Sequence, residues 1–345
     1  MIAKSDFYDF FRKVPKAELH LHIEAVISFE SIKKLYLRKF PGLSDAEALD
    51  KIAEIFDYAD LDGFIQAYLK VQDLYESVDD FDLIFDDLKK YIVRNGISYA
   101  EVFASPSAFL KKGFEFGAMM ESYHRNILKI KEEAGVDIRM LLDVSRTFGL
   151  ANSERNLDLI LANKIPEVIG IGLGGAESKG PAREFGPVFD RAWKSGLLAV
   201  AHAGEDVGPE SVWDSINILK AARIGHGISA IQDETLVDTL VQRKIPLEIC
   251  PTSNVFTKKF VKKLNEHPIR EFFDRGICVT LNTDDPLFFK VELLDEYWNA
   301  YSKIGFKKGE LKEIIKNSFE ASFLPQEKKS EFLKKVEEEW SLKNK

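Results

Sequence analysis

Cysteine is scarce in this chain: two among 345 residues, Cys250 and Cys278. Both lie inside strand-like apolar runs, so buried, reduced thiols are expected and a disulfide framework is not. Long hydrophobic runs are also missing. No stretch approaches about 18 uninterrupted apolar residues, which argues against a membrane-spanning helix. The opening residues, MIAKSDFYDFFRK, carry acids and lack an apolar core, so no secretory signal is expected and the cytoplasm is the expected compartment. Nor is there an excess of positive charge. The 48 Lys and Arg residues are outnumbered by 56 Asp and Glu, giving a net charge of −8, whereas a nucleic-acid surface needs a basic face. The lysine-rich runs KKLYLRK (33–39) and QEKKSEFLKKVEEEW (326–340) alternate with acids or apolar residues and read as solvated helix faces. Low-complexity linkers and internal repeats are absent.

What is present is a chain with a sizeable core, since 45% of its residues are hydrophobic. Short apolar runs alternate with longer amphipathic stretches, the rhythm of βα units around a parallel sheet. The strand candidates are AELHLHI (17–23), SYAEVFAS (98–105), IRMLLDV (138–144), VIGIGLG (168–174), LAVAHAG (198–204), ARIGHGI (222–228), IPLEICPT (245–252) and ICVTLNT (277–283). Such a series predicts an α/β fold, a (β/α)₈ TIM barrel, spanning 1–345 as one domain. The gap after the first strand, about 24–97, holds more helical sequence than one crossover needs. It is read as a helical cap inserted over the barrel mouth.

Polar residues collect at one end of these strands. His20, His22, Ser105, Asp143, Gly174, His202, His226, Thr252 and Asp284 all lie at or just past a C-terminal strand end, which in barrel enzymes carries the active site. His20 and His22 are two residues apart, so a strand sends both to one face. With His202 and Asp284 they form a three-nitrogen, one-oxygen set suited to a borderline ion such as Zn²⁺. Glu205 follows His202 by three positions and can enter the same mouth as a general acid or base. His226, between two glycines, is placed to orient the attacking water. Asp284 and Asp285 are adjacent, and a turn at Pro286 is needed for both to reach one pocket. Outside this set, His124 and His267 lie in helix-like or loop contexts and are expected at the surface.

The segments PKAELHLH, AHAGE, RIGHG, CPTSN and NTDDP, in this order, resemble the adenosine deaminase family of metal-dependent amidohydrolases. The resemblance runs from about Lys16 to beyond Asp285. It implies a barrel with one zinc ion and hydrolytic replacement of a purine 6-amino group by oxygen, releasing ammonia. By motif, His20, His22, His202 and Asp284 would hold zinc, and Glu205 would protonate purine N1. His226 would act as base or electrostatic partner of the attacking water, Asp285 would bond N7, and a backbone N–H near Gly175 would reach N3. Glu24 matches the position that contacts the sugar 5′ region. The implied partner is a small 6-aminopurine, with no nucleic acid and no membrane.

Some residues depart from the family pattern. Ala25 stands where a glycine is usual, Gly172 and Ala176 replace aspartates of the IDLAGDE type, and Thr147 follows Arg146 where histidine is common. These departures bear on the substrate and leave the reaction class intact. GLGG with GPESVW (208–213) also resembles the aminodeoxyfutalosine deaminase branch, and adenine deaminases share similar segments. The expected substrate order is adenosine, then aminodeoxyfutalosine, then adenine. Phe64, Tyr68 and Tyr75 fall roughly on one helix face and are read first as core; as a lid they would favour a nucleoside. Two-metal relatives are disfavoured because no lysine ends a middle strand candidate. An inactive nucleoside-binding relative is disfavoured by Glu205, His226 and Asp285.

Overall fold

The computed structural model describes residues 2–59 and 61–342. Eight parallel strands follow one another round the molecule in chain order. They are β1 (Lys16–His22), β2 (Ile97–Ala104), β3 (Asp137–Asp143), β4 (Val168–Leu173), β5 (Leu198–Ala203), β6 (Arg223–His226), β7 (Leu247–Ile249) and β8 (Val279–Leu281). Each expected strand is present, although β7 and β8 are shorter than their apolar runs. Residues of β1 are buried throughout, as a parallel strand covered on both sides requires.

The barrel closes between β8 and β1 just past the regular ladder. His22 N–H donates to Asp284 O at 2.9 Å, and Asp284 N–H donates to His20 O at 3.1 Å. Below them the Asn282 side-chain oxygen accepts from Leu19 N–H and His20 N–H at 2.9 and 3.2 Å. A side-chain amide thus stands in for a missing strand carbonyl. This seam binds the strand carrying two candidate ligands to the segment carrying the fourth.

Helices cover the outside. α1 (Lys4–Lys13) precedes the barrel and buries Phe7, Phe10 and Phe11. Between β1 and β2 come a 3₁₀ turn (Ile23–Val26) and α2 (Phe29–Lys39), α3 (Asp45–Ile55), α4 (Leu61–Asp73) and α5 (Phe81–Asn95). Local chemistry sets their ends. Ser44 and Glu47 form a capping box at the start of α3, satisfying amides the helix leaves free. Gly96, with φ of 65°, stops α5 in the left-handed conformation. Ala25, the departure from glycine, lies within the 3₁₀ turn and outside the left-handed region, so its methyl group strains no backbone there. No helix among the described residues is long and apolar enough to cross a membrane.

Inside the barrel, charge is paired. Arg223 of β6 donates to Glu101 of β2 and to Glu248 of β7, all three buried. Glu101 also accepts from Tyr99 O–H at 2.7 Å and Phe323 N–H at 2.6 Å. Buried ions are tolerable only when their lone pairs are satisfied in this way. Above this layer Phe103, Leu141 and Val200 form a small apolar plug. Phe103 makes the floor of the mouth, its ring 4.9 to 5.2 Å from those of His20, His22 and His202.

Candidate active site

Three imidazoles and one carboxylate meet at the C-terminal end of the barrel. The ligand-capable atoms of His20, His22, His202 and Asp284 all lie within 4.8 Å of one another, and all four residues are buried. Asp284 Oδ1 is 3.4 Å from His20 Nε2 and 3.3 Å from His22 Nε2, and the Nε2 atoms of His22 and His202 are 3.1 Å apart. Such separations match the edges of a tetrahedron with metal–ligand distances of about 2.0–2.1 Å. His20 Nε2 is buried without a hydrogen-bond partner. The field points the same way. Burial alone would depress His20, yet Asp284 and Glu248 hold its pKa up to about 9. His22 is likewise held up to about 10, against burial, by Asp285 and Asp284. Burial, followed by the neighbouring His20, His22 and His226, holds His202 well below the usual imidazole range, so it is a neutral donor, and a divalent cation fits this set of three nitrogens and a carboxylate.

Two members of this cluster, His20 and Asp284, are held from behind. Glu248 Oε2 lies 2.8 Å from His20 Nδ1, which leaves Nε2 as the ligand atom. Gly225 lets the His20 ring close in, since an added Cβ would meet its Cε1 at 2.6 Å. Ser253 O–H donates to Asp284 Oδ2 at 2.7 Å. Asp284 itself has φ of 66°, a conformation rare for a non-glycine residue. That left-handed step turns Asp284 and Asp285 into the same mouth, where an extended chain would send them apart. His226 has φ of 62° and Ser145 has φ of 54°, so three of the seven non-glycine residues with positive φ among the described residues belong to the site.

Glu205 lies opposite the cluster, with Oε2 3.4 Å from His226 Nε2. Burial pushes its pKa well above the usual carboxylate range, helped by Asp284 and Glu177. Its loop is clamped by one side chain. Glu177 accepts from the N–H groups of Gly204, Glu205, Asp206 and Val207 at 2.6, 3.0, 2.7 and 3.0 Å. A carboxylate taking four amides fixes the backbone that presents the acid.

His226 is oriented by a relay. Ile269 N–H donates to His267 Nδ1 at 3.1 Å, so the neutral ring keeps its proton on Nε2. That nitrogen is 3.2 Å from Asn254 Oδ1, and Asn254 Nδ2 is 3.1 Å from His226 Nδ1. His226 Nδ1 is consequently an acceptor, and its proton sits on Nε2, facing Glu205. Burial holds both histidines neutral, each depressed to about 3. The expectation of a surface His267 is thus corrected: it is 4% exposed. Asn254, from the CPTSN segment, encloses it, a contact invisible to a local reading of NEHPIREF. His124 is partly exposed and 2.8 Å from Glu167.

A cavity of about 810 Å³ of empty space, mouth included, opens from the cluster. Its walls include Phe64, Tyr68 and Gln72 of α4, Ser105 after β2, Asp143 and Thr147 at the end of β3, and Gly174 and Gly175 after β4. Asp285 lines it as well and leaves Oδ1 without a partner. Phe64 and Tyr68 therefore face the cavity, while Tyr75 is fully buried.

Of the residues expected at the site, His22, His202, Asp284, Asp285 and Gly175 line this cavity, while His20 and His226 stand beside Asp284 and Glu205 stands beside His226. Glu24 is not among them. It is 2% exposed, with Oε1 taking Ser105 N–H at 2.7 Å and Oε2 taking Tyr68 O–H at 3.1 Å, one layer behind the wall. Glu177, Glu248, Ser253 and Asn254 went unassigned in the sequence. For Glu248 a signal existed: a carboxylate within the buried strand run IPLEIC requires a buried partner.

A sequence model of the family described as adenosine deaminase matches residues 15–339. An aminodeoxyfutalosine deaminase of Streptomyces avermitilis is 37% identical, covering 92% of this chain and 89% of its own. An adenine deaminase of Streptomyces coelicolor is 33% identical over 96% of this chain and 97% of its own. In three dimensions the crystal structure of adenine deaminase from Arthrobacter aurescens superposes with a TM-score of 0.89 at 29% identity, covering 95% of this chain and 99% of that one.

Proposed function

The chain belongs to the adenosine deaminase family, whose members are hydrolases of C–N bonds, and from that premise we propose a zinc-dependent deaminase of a 6-aminopurine nucleoside. The observation that carries this reading is the convergence of His20, His22, His202 and Asp284 on one point, opposite Glu205. Those four residues would hold the zinc ion. When bound, the ion supplies a Lewis acid that brings the pKa of water towards about 7.

The protein's own groups do the rest. Glu205, held above the usual carboxylate range, carries the proton that ring N1 receives as C6 becomes electrophilic. His226 presents Nε2–H towards Glu205 and Asp284, which supports the role of electrostatic partner to the attacking water over that of base. Asp285 is pushed well above the carboxylate range by burial and then by Asp284, so it can donate to N7, a pure acceptor. Gly175, between β4 and the following turn, offers backbone N–H to N3. Phe64 and Tyr68 cover the heterocycle and exclude water, and α2 to α5 (with α4 at the mouth) act as a cap on a single barrel domain.

The names of the relatives support an order of substrates. Aminodeoxyfutalosine, the substrate named for the 37% relative, moves ahead of adenosine. Adenine, named for the 33% relative, is the second reading. The test is protein loaded with one equivalent of zinc and assayed for ammonia against aminodeoxyfutalosine, adenosine and adenine. Release from a nucleoside with adenine slower supports the reading. Release from none of the three rejects it.

A further inference from the structure

Two polar side chains lining the cavity carry buried atoms with no hydrogen-bond partner among the described residues. Asp143 is 2% exposed and lines the cavity; its Oδ1 has no hydrogen-bond partner among the described residues. Its Oδ2 accepts from Ser105 O–H at 3.1 Å, which fixes the carboxyl plane and leaves Oδ1 free. Gln72 of α4 is also 2% exposed and lines the same cavity, with neither amide atom partnered. Buried polar atoms are normally satisfied, so orphans in a cavity wall point to a ligand that completes them.

The place was made for this carboxylate. A Cβ on Gly172 would stand 2.3 Å from Asp143 Oδ1, and a Cβ on Gly174 would stand 2.7 Å from Oδ2. Any other residue at position 172 would displace the acid or the Phe103 ring, 2.9 Å from the same point. The unusual glycine of β4 and the aspartate of β3 are therefore one feature, built across neighbouring strands.

Which part of a ligand reaches it follows from the order of the strands. In the proposed reading N1 faces Glu205 after β5, N3 faces Gly175 after β4, and N7 faces Asp285 after β8. Travelling round the purine from N1 through N3 and N9 to N7 then visits strand ends in their order round the barrel. N9 falls between β4 and β8 on the side of β3 and β2, where Asp143 and Ser105 lie.

We propose that Asp143 is a specificity-determining residue whose free carboxylate oxygen accepts from hydroxyl groups of a sugar on N9. Gln72, from the cap, completes the same subsite. This rests on the deaminase reading for the orientation of the base. The substrate class is accordingly a 9-glycosyl 6-aminopurine with its ribose hydroxyls free. An analogue lacking them leaves a buried carboxylate oxygen unpaired, and sites built to bond a hydroxyl discriminate strongly against its absence.

Binding and turnover are measured separately on zinc-loaded wild type and Asp143→Asn, with thermal unfolding as a check on folding. Calorimetry compares inosine with 2′,3′-dideoxyinosine, and kinetics compare adenosine, 2′,3′-dideoxyadenosine and adenine. Wild type should favour the hydroxylated member of each pair by roughly tenfold to a thousandfold, mostly in KM. Asp143→Asn should lose most of that preference while the dideoxy compounds stay within about threefold of wild type. Equal losses on hydroxylated and dideoxy compounds overturn the proposal, as does wild type that fails to discriminate or to bind either inosine. Equal losses on adenosine and adenine also overturn it, because Asp143 would then be reading the base. Binding that depends on the hydroxyls without any ammonia release would sink the deaminase reading and leave the subsite standing.

Discussion

The two sides of the cavity are built differently. On the side of β5, β6, β8 and β1, functional groups are backed by dedicated partners: Glu248 behind His20, Ser253 behind Asp284, Asn254 behind His226, and Glu177 beneath the Glu205 loop. On the side of β2, β3 and α4, Asp143 Oδ1 and the Gln72 amide have no partner among the described residues. Reacting groups must be in place before the substrate arrives, because reorganisation during the reaction raises the barrier. Recognition groups gain by being incomplete until the correct ligand fills them. Support from behind thus sets His20, Asp284, His226 and the Glu205 loop apart from Asp143 Oδ1 and Gln72, although His202 Nδ1 and Asp285 Oδ1 are unpartnered as well.

The largest effect tests the reacting side at its centre. Glu205→Gln should lower turnover by roughly two to four orders of magnitude while metal content, measured by atomic absorption, stays at wild-type level. Unchanged turnover would remove Glu205 from its role. Next comes the support. Glu177→Ala leaves four amides without their acceptor, and kcat should fall on the order of a hundredfold through misplacement of Glu205, again with metal retained. Loss of metal together with activity would mean that Glu177 only holds the fold.

A smaller effect is expected for the relay. Asn254→Leu removes the donor to His226 Nδ1, so kcat should fall about tenfold, in keeping with partial loss of one oriented donor. The distinguishing measurement is nitrogen-15 NMR of histidine-labelled protein. Wild type should show His226 and His267 neutral with the proton on Nε2, and the variant should show His226 as a mixture of tautomers. An Nδ1–H tautomer in wild type would break the relay and return His226 to the role of base.

The smallest effect concerns stability. Buried Glu296 accepts from Thr252 N–H at 2.8 Å, and burial pushes its pKa from 4.5 up to about 7. The folded protein therefore keeps a proton that the unfolded chain releases above about pH 4.5. This contribution is complete below that pH and is lost as pH rises through about 7, so stability declines across the interval. Glu296→Gln should flatten the decline, gaining on wild type by at most about 3 kcal/mol at pH 8 relative to pH 4.5. Parallel melting-temperature profiles for the two proteins would contradict this.

The same division explains what could be read from the sequence. The barrel was legible because each strand is a local apolar run. The reacting side was legible because its groups sit in short segments at strand ends: HLH, HAGE, GHG and NTDDP. Their convergence needs only the barrel topology. The backing and recognition groups depend on contacts between distant segments. Asp143 was visible as a strand-end acid and Gly172 as a departure, but nothing local joins them. His267 looked like a loop histidine because its burial is created by Asn254. Glu24 matched a sugar-contacting position, yet Ser105 and Tyr68 draw both its oxygens behind the wall.

The central claim is that three imidazole nitrogens and one carboxylate oxygen close on a single ion facing Glu205. Anomalous diffraction at the zinc edge, on crystals of protein reconstituted with one equivalent of zinc, tests it directly. The account predicts one peak, within about 2.0–2.2 Å of His20 Nε2, His22 Nε2, His202 Nε2 and an Asp284 oxygen. A peak elsewhere, or one that leaves any of these four atoms uncoordinated, would contradict it.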